Sequence, residues 1–512
     1  MIDFRKVLLS AMTLFVVTAC SVNPVTGKRE ITLVGTQSEI QMGEQNYLPM
    51  RQSQGGEYDV DVRLTEYVTG VGNRLAAVSD RELPYEFVVL NNSVPNAWAL
   101  PGGKIAINRG LLTELNSEAE LAAVLSHEIV HAAARHSARQ IERGMLLQGL
   151  VLATAVATSD SDYGNYAMGG ASIGAQLLTQ SYGRKAELES DLYGMQYMSR
   201  AGYDLQGAIS LQETFVRLSE GRSTDWLSGL FASHPPSRER VETNKRTAAS
   251  LPPGGEAGAE RFKAMMARTV ASVPAYEAYD EGRKALAEND AAKAVVQAEK
   301  AIALFPDEAN FYALRGDARL LDKKYDMAVT NYDSALRRRD SFFYYFLQRG
   351  RAQEKLGNDS AATQDLEKSL TLLPTVPAHN TLGDIATRRG DKTAALDHYR
   401  KVAGGKGDIA NAAQASLVKL DLADHPRDYI LTRCDADSTG NLLVSIKNTT
   451  SITVDNVNVS IDYTDQTGSR KSLQKSLSGR LTPGQVRSVS TGLGPWAGGT
   501  CPANVITARI VD

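Results

Sequence analysis

Charge of one sign is what this sequence lacks first: 56 lysines and arginines face 59 aspartates and glutamates. No overall field therefore draws the chain to nucleic acid or to an anionic membrane surface. Cysteine is scarce as well, with three in 512 residues, at Cys20, Cys434 and Cys501. The apolar run over residues 145–158 falls short of the roughly twenty residues that a bilayer crossing needs. What is present is ordinary globular composition in a chain long enough for about three domains at roughly 150 residues each.

The N-terminus gives the compartment. Arg5 and Lys6 precede an apolar stretch from Val7 to Val17 and the small residues Thr18-Ala19-Cys20, the layout of a secretory signal over residues 1–19. The VTAC ending resembles the lipobox of bacterial lipoproteins, which implies cleavage before Cys20 and acylation of its sulfur. An ordinary cleaved signal or an uncleaved anchor is the alternative. Ser21 after the cysteine implies, by resemblance to lipoprotein sorting, the outer membrane of a Gram-negative cell, with the protein facing the periplasm. In that oxidising compartment Cys434 and Cys501 are expected to pair, two free thiols being the other reading.

The chemistry centres on LAAVLSHEIVHAAARHSAR, Leu121 to Arg139. His127, Glu128 and His131 stand as H-E-x-x-H in an apolar, Ala-rich helical pattern whose start is marked by the capping box Ser117-x-x-Glu120. Two histidines four apart share a helix face and reach one metal, and the glutamate between them reaches the water activated there. About 0.01 such matches are expected by chance from this composition. A catalytic zinc takes three protein ligands and leaves a fourth position open, so a third is needed. The metzincin continuation is absent, because Ala134 and Ser137 stand where it needs glycine and histidine. His136, about 140° around the helix from His131, is expected to point away from the metal. Glu187 and Asp191, four apart, share a helix face opposite Glu189, which suits one ligand and one carboxylate orienting a ligating histidine. Spacing leaves open which is which.

These residues, with N-P-V-T-G at Asn23 to Gly27, N-A-W-A-L-P-G-G at Asn96 to Gly103, E-L-E-S-D at Glu187 to Asp191 and S-H-P-P-S at Ser233 to Ser237, resemble the zinc metallopeptidase family that includes the periplasmic beta-barrel assembly-enhancing proteases, the HtpX-like membrane proteases and the CAAX prenyl proteases. The resemblance implies one Zn2+ per chain, Glu187 as third ligand, Asp191 as its second-sphere partner, and a place near the metal for His234, as oxyanion donor or as a group filling the open position. Ser190 and Trp98 depart from the family's commoner alanine and phenylalanine without removing a ligand. Glu128 is expected to act as general base and then acid. Asn96, Gly102 and Gly103 are expected to lie along an edge strand open to an extended substrate, glycine letting another backbone approach. Residues 145–178 read as a helix and Gly-rich flap over the site, or as a membrane-dipping hairpin.

Beyond the Pro- and Gly-rich stretch after Leu251 the chain repeats: Gly282, Gly316, Gly350 and Gly383 are spaced by 34, 34 and 33 residues, with Ala294, Ala328, Ala362 and Ala395 in step. This is the tetratricopeptide pattern. After Tyr429 the periodicity changes to two, that of an antiparallel sandwich. The expected architecture is multidomain: an α+β zincin-like, mostly helical metallopeptidase domain (20–250), a linker (251–275), an all-α tetratricopeptide solenoid (276–422) and a C-terminal all-β sandwich (427–512). The expected activity is zinc endopeptidase in outer-membrane protein quality control. It would degrade unfolded or misassembled envelope proteins, with the repeats recruiting them or the outer-membrane assembly machinery, and with no nucleic-acid partner. The rival is an adaptor or chaperone whose protease is latent or minor.

Overall fold

The computed structural model describes residues 20–148, 182–221, 234–405, 407–464, 469–496 and 501–511. The signal segment and the flap beyond residue 148 lie outside them, as does Ser233. Among the described residues no helix is long and apolar enough to cross a membrane. Two compact units divide between Thr375 and Val376.

The first unit opens with a hairpin of β1 (Cys20–Val22) and β2 (Arg29–Ile31), then α1 (Thr36–Ser53) and α2 (Val62–Ala76). A three-stranded sheet follows, β3 (Glu86–Leu90), β4 (Ala97–Leu100) and β5 (Lys104–Asn108), in the order β3-β5-β4. β3 runs parallel to β5 and β4 antiparallel to it, which leaves β4 at the edge. An edge strand thus starts directly after Asn96. After the short α3 (Arg109–Leu112) comes α4 (Glu118–Ala133), the H-E-x-x-H helix. Ser117 Oγ accepts from Glu120 N at 3.1 Å, and the Glu120 carboxylate accepts from Asn116 N at 2.7 Å. Every residue of α4 is buried, so the helix is apolar all round because it has no wet face.

α5 (His136–Gln148), α6 (Arg184–Arg200), α7 (Gln206–Gly221) and α8 (Arg238–Ser250) complete this part. Small residues set how closely they pack: a Cβ at Gly207 would meet Ala119 C at 2.5 Å, and one at Gly194 would meet His127 N at 3.2 Å. Gly102 and Gly103 are used differently from the expectation. At φ +81° and +92° they close the β4–β5 turn, where a Cβ would strike Ile40 Cα at 2.6 Å or the Tyr85 ring at 2.9 Å. The backbone that approaches Gly102 is the chain's own α1, and side chains of Leu83 and Tyr85 approach Gly103.

The expected linker 251–275 is also revised. α9 (Ala259–Ala287) is one helix through its second half and into the first repeat, with Arg261 paired to Glu118 and Phe262 buried. α9 starts directly after Gly258, the last glycine of the expected linker, and runs on through Pro274 with Phe262, Met266 and Ala275 buried along it. Helix pairs then follow at the predicted period: α9 with α10 (Ala291–Leu304), α11 (Ala309–Leu321) with α12 (Tyr325–Leu336), and α13 (Phe343–Lys355) with α14 (Asp359–Leu372). Ala294, Ala328 and Ala362 are fully buried at the crossings. These pairs belong to the same compact unit as the H-E-x-x-H helix. Arg109 stacks on Tyr276 at 3.4 Å, Asn91 Nδ2 donates to Glu308 Oε2 at 2.9 Å, and Gln52 Oε1 accepts from Phe343 N at 2.8 Å.

The second unit holds the pair α15 (Val376–Arg388) and α16 (Lys392–Val402), then α17 (Asp408–Asp421). Two antiparallel sheets follow, built from β6 (Ile430–Ala436), β7 (Leu442–Asn448), β8 (Val454–Thr464), β9 (Arg470–Leu477), β10 (Val486–Ser490) and β11 (Ala503–Ile510), in the orders β10-β7-β6 and β11-β8-β9. Val444, Ile446, Val457, Val459 and Ile461 fill the space between them. Cys434 and Cys501 form a disulfide across a separation of 67 residues. A loop of that length lowers the entropy of the unfolded chain by roughly 4 kcal/mol.

Candidate metal centre

Three helices and one Pro-flanked segment converge on α4. His127 Nε2 and His131 Nε2 lie 3.0 Å apart, and Glu187 of α6 stands 3.4 Å from the second. His234, just before Pro235 and Pro236, brings Nδ1 to 3.1 Å from Glu187 Oε1 and 3.3 Å from His127 Nε2. One ligand atom from each of His127, His131, Glu187 and His234 fits within 4.8 Å of the others, all four buried. Glu128 lies beside them, with Oε1 3.5 Å from His234 Nε2. Asp191 Oδ1 is 2.9 Å from His127 Nδ1. Glu187 is therefore the carboxylate facing the cluster and Asp191 the one behind a histidine, the choice that spacing left open.

Two further groups were not legible in the sequence. Arg240 of α8, fixed by Ser237 Oγ capping its own backbone N–H, sends Nε and Nη2 to Asp191 at 2.7 Å each and Nη1 to Glu187 at 3.0 Å. Buried carboxylates call for a cation, and its place in SHPPSRER, six residues after His234, is the cue that was available. Tyr182 stacks on His131 at 3.9 Å between ring centres and bonds Ser137 through its hydroxyl at 2.7 Å.

His136 is a correction. It is buried and its Nδ1 lies 2.9 Å from His131 Nδ1, turned toward the site. The helical projection fails because α4 ends at Ala133 and Arg135 turns the chain at φ 61°. That left-handed residue is held by Glu39, Thr32, Val34 O and Glu142, and Asn23 of the N-P-V-T-G segment caps the helix end by donating to Ala134 O at 2.9 Å. Ala134 and Arg135 carry no local stop signal, so only distant partners end the helix there.

Burial alone would strip the proton from His127, but the Glu187 and Asp191 carboxylates outweigh it and raise the imidazole to about 9. Burial holds His131 well below the usual histidine range and lifts the Glu128 carboxyl above its own. Two imidazole nitrogens 3.0 Å apart require a proton or a cation between them. A metal ion thus displaces one proton, and apparent zinc affinity should fall about tenfold per pH unit as pH drops below 9. Chelator competition from pH 6 to pH 9 measures this; a flat profile would refute it.

The donor set suits zinc: imidazole nitrogens and a carboxylate oxygen are its ordinary ligands. Among the described residues Glu128 Oε2 is buried with no hydrogen-bond partner, the orphan expected of a group that serves a water or substrate at such an ion. Zinc would be held by His127, His131 and Glu187, with His234 at the fourth position.

Residues 63–248 match the family model described as Peptidase family M48. The chain is 30% identical over 230 residues to the beta-barrel assembly-enhancing protease of Yersinia pestis, covering 44% of this chain and 46% of that one. It is 32% identical over 221 residues to the mitochondrial metalloendopeptidase OMA1 of Schizosaccharomyces pombe, covering 43% and 63%. The chain thus spans about half the length of the curated relatives it matches. Among solved structures, the Arabidopsis OM64 TPR domain aligns at 23% identity and a TM-score of 0.23 over 23% of this chain and 98% of that one. The repeat assignment rests on the helix pairs themselves.

Proposed function

We propose that this chain, which carries a segment matching Peptidase family M48 and a buried two-histidine, one-glutamate cluster, is a zinc endopeptidase that cuts unfolded or misassembled outer-membrane proteins in the periplasm, held to the outer membrane by lipid on Cys20. The observation that carries the peptidase reading is the convergence of His127, His131 and Glu187 next to the unpartnered Glu128 Oε2. The periplasmic substrate class rests on the name of the Yersinia relative and on the signal segment.

Bound there, zinc supplies the Lewis acidity that polarises a scissile carbonyl and acidifies water. Glu128 Oε2 takes the proton from that water and returns it to the leaving amine. Asp191 fixes the His127 ring through Nδ1–H, and Arg240 fixes Asp191. β4, the edge strand of this sheet among the described residues, is where an extended substrate would pair through its backbone, and Asn96 Oδ1 and Trp98 Nε1 are buried there without a partner among the described residues. The hinge of the reading is His234, whose Nδ1, 3.1 Å from Glu187 Oε1 and 3.3 Å from His127 Nε2, is close enough to fill the fourth position of an ion held there, and in this reading the enzyme is latent at rest. That supports the regulated protease over a pure adaptor, while the repeats remain the surface for envelope proteins or assembly machinery.

The test is zinc content together with cleavage of a denatured outer-membrane barrel protein by wild type and His234→Ala. Stoichiometric zinc and faster cleavage by the variant are expected. Cleavage by neither protein at full zinc occupancy would sink the peptidase reading, and slower cleavage by His234→Ala would sink latency in favour of an oxyanion role.

A further inference from the structure

An imidazole that offers Nε2 to a metal must carry its proton on Nδ1, and an acceptor at Nδ1 sets both that tautomer and the ring's direction. For His127 the acceptor is the Asp191 carboxylate. His131 has no carboxylate at that nitrogen. What stands there, at 2.9 Å, is Nδ1 of His136. Nδ1 of His136 accepts only when its own proton is on Nε2; Nε2 is buried without a hydrogen-bond partner among the described residues, and the nearest carboxylate is Glu189, with Oε2 at 3.6 Å, an electrostatic contact beyond hydrogen-bond length. Glu189 is anchored in turn by Lys28 Nζ at 2.8 Å and approached by Arg139 at 3.8 Å, and Ser190 Oγ lies 3.3 Å from His136 Nδ1.

We infer that His136 is a positioning residue for the metal site: it accepts the Nδ1 proton of His131, is oriented by Glu189, and so aims His131 Nε2 at the ion through an imidazole–carboxylate relay. The inference rests on the zinc reading above. It accounts for the five-residue stretch Glu187 to Asp191 as one device serving both histidines, with Glu187 facing the ion, Asp191 behind His127, and Glu189 and Ser190 at His136. It also gives a reason for the left-handed Arg135, a conformation that is unfavourable in a residue with a side chain. Had α4 run on, His136 would sit about 140° from His131 and out of reach.

The experiment uses the full chain. Zinc affinity is measured by chelator competition at one pH for wild type, His136→Leu, His136→Asn and Glu189→Gln, together with the visible spectrum of the Co(II) forms and the unfolding midpoint of the metal-free proteins. His136→Leu should weaken zinc about 10–100-fold and alter the Co(II) bands. His136→Asn, whose Oδ1 falls near the Nδ1 position and accepts, should recover most of the loss, with Glu189→Gln between. Leucine in this turn threatens folding, so Glu189→Gln is decisive beside it: unchanged affinity and spectrum in that variant overturn the relay. Equal weakening by Leu and Asn, tracking equal loss of metal-free stability, overturns it too, since packing alone would then explain the effect. A wild type that binds no zinc defeats the metal reading itself, whereas tight, equal binding by wild type and His136→Leu defeats only the positioning role.

Discussion

Glu128→Gln should fold, keep its zinc, and cleave a denatured outer-membrane protein about 10²–10⁴-fold more slowly than wild type, the range that a positioned general base contributes. Glutamine matches the shape of the side chain and cannot take a proton. The site depends on that proton, because Oε2 has no hydrogen-bond partner among the described residues, and the residue is buried. Burial also raises this carboxyl. The base form is therefore lost as pH falls through a value above the ordinary carboxylate range, and the acid limb of kcat should sit correspondingly high. The loss should be in kcat, read at measured zinc occupancy. Wild-type turnover in the variant would remove Glu128 from the chemistry, and it would equally favour a protein that holds its partners without cutting them.

The second large effect is on stability. Arg240→Ala should lower the unfolding free energy of the metal-free protein by about 3–5 kcal/mol, the usual result of removing one member of a buried ion pair. Its guanidinium is 4% exposed and spans Asp191 and Glu187 together. Both carboxylates are held below their usual range, burial opposing their charge while Arg240 beside Asp191 and the histidines beside Glu187 sustain it. Without the arginine two buried anions are left one turn apart on the same face of α6. Zinc restores a cation, so the deficit should shrink in the loaded protein. Lysine is expected to recover part of it, since a single ammonium cannot present the fork that reaches both carboxylates. Urea unfolding with and without zinc measures this, and equal midpoints for wild type and Arg240→Ala would refute it.

Local patterns were read correctly where the physics is local. The capping box starts α4, the i, i+4 spacing puts His127 and His131 on one face, and the 34-residue period of small residues marks the helix crossings. The misreadings share one cause. α4 stops because Glu39 and Glu142 hold Arg135, and Gly102 packs against α1, which lies some sixty residues away in sequence. Each depends on a partner that periodicity cannot see. Arg240 belongs with them, an arginine in an otherwise polar helix until Asp191 is known to be behind it.

The stacked pair of Arg109 and Tyr276, with Glu308 bonded to both Tyr276 and Asn91, bears on how the molecule should be handled in pieces. A fragment ending near residue 250 keeps every ligand yet strips the cover from Arg109 and Asn91, which flank the strands leading into the metal helix. Its low activity would report damage, not a missing recruitment surface. The compact unit that holds the site runs to Thr375, so dissection of catalysis from binding is better done with point changes on the repeat helices than with scissors.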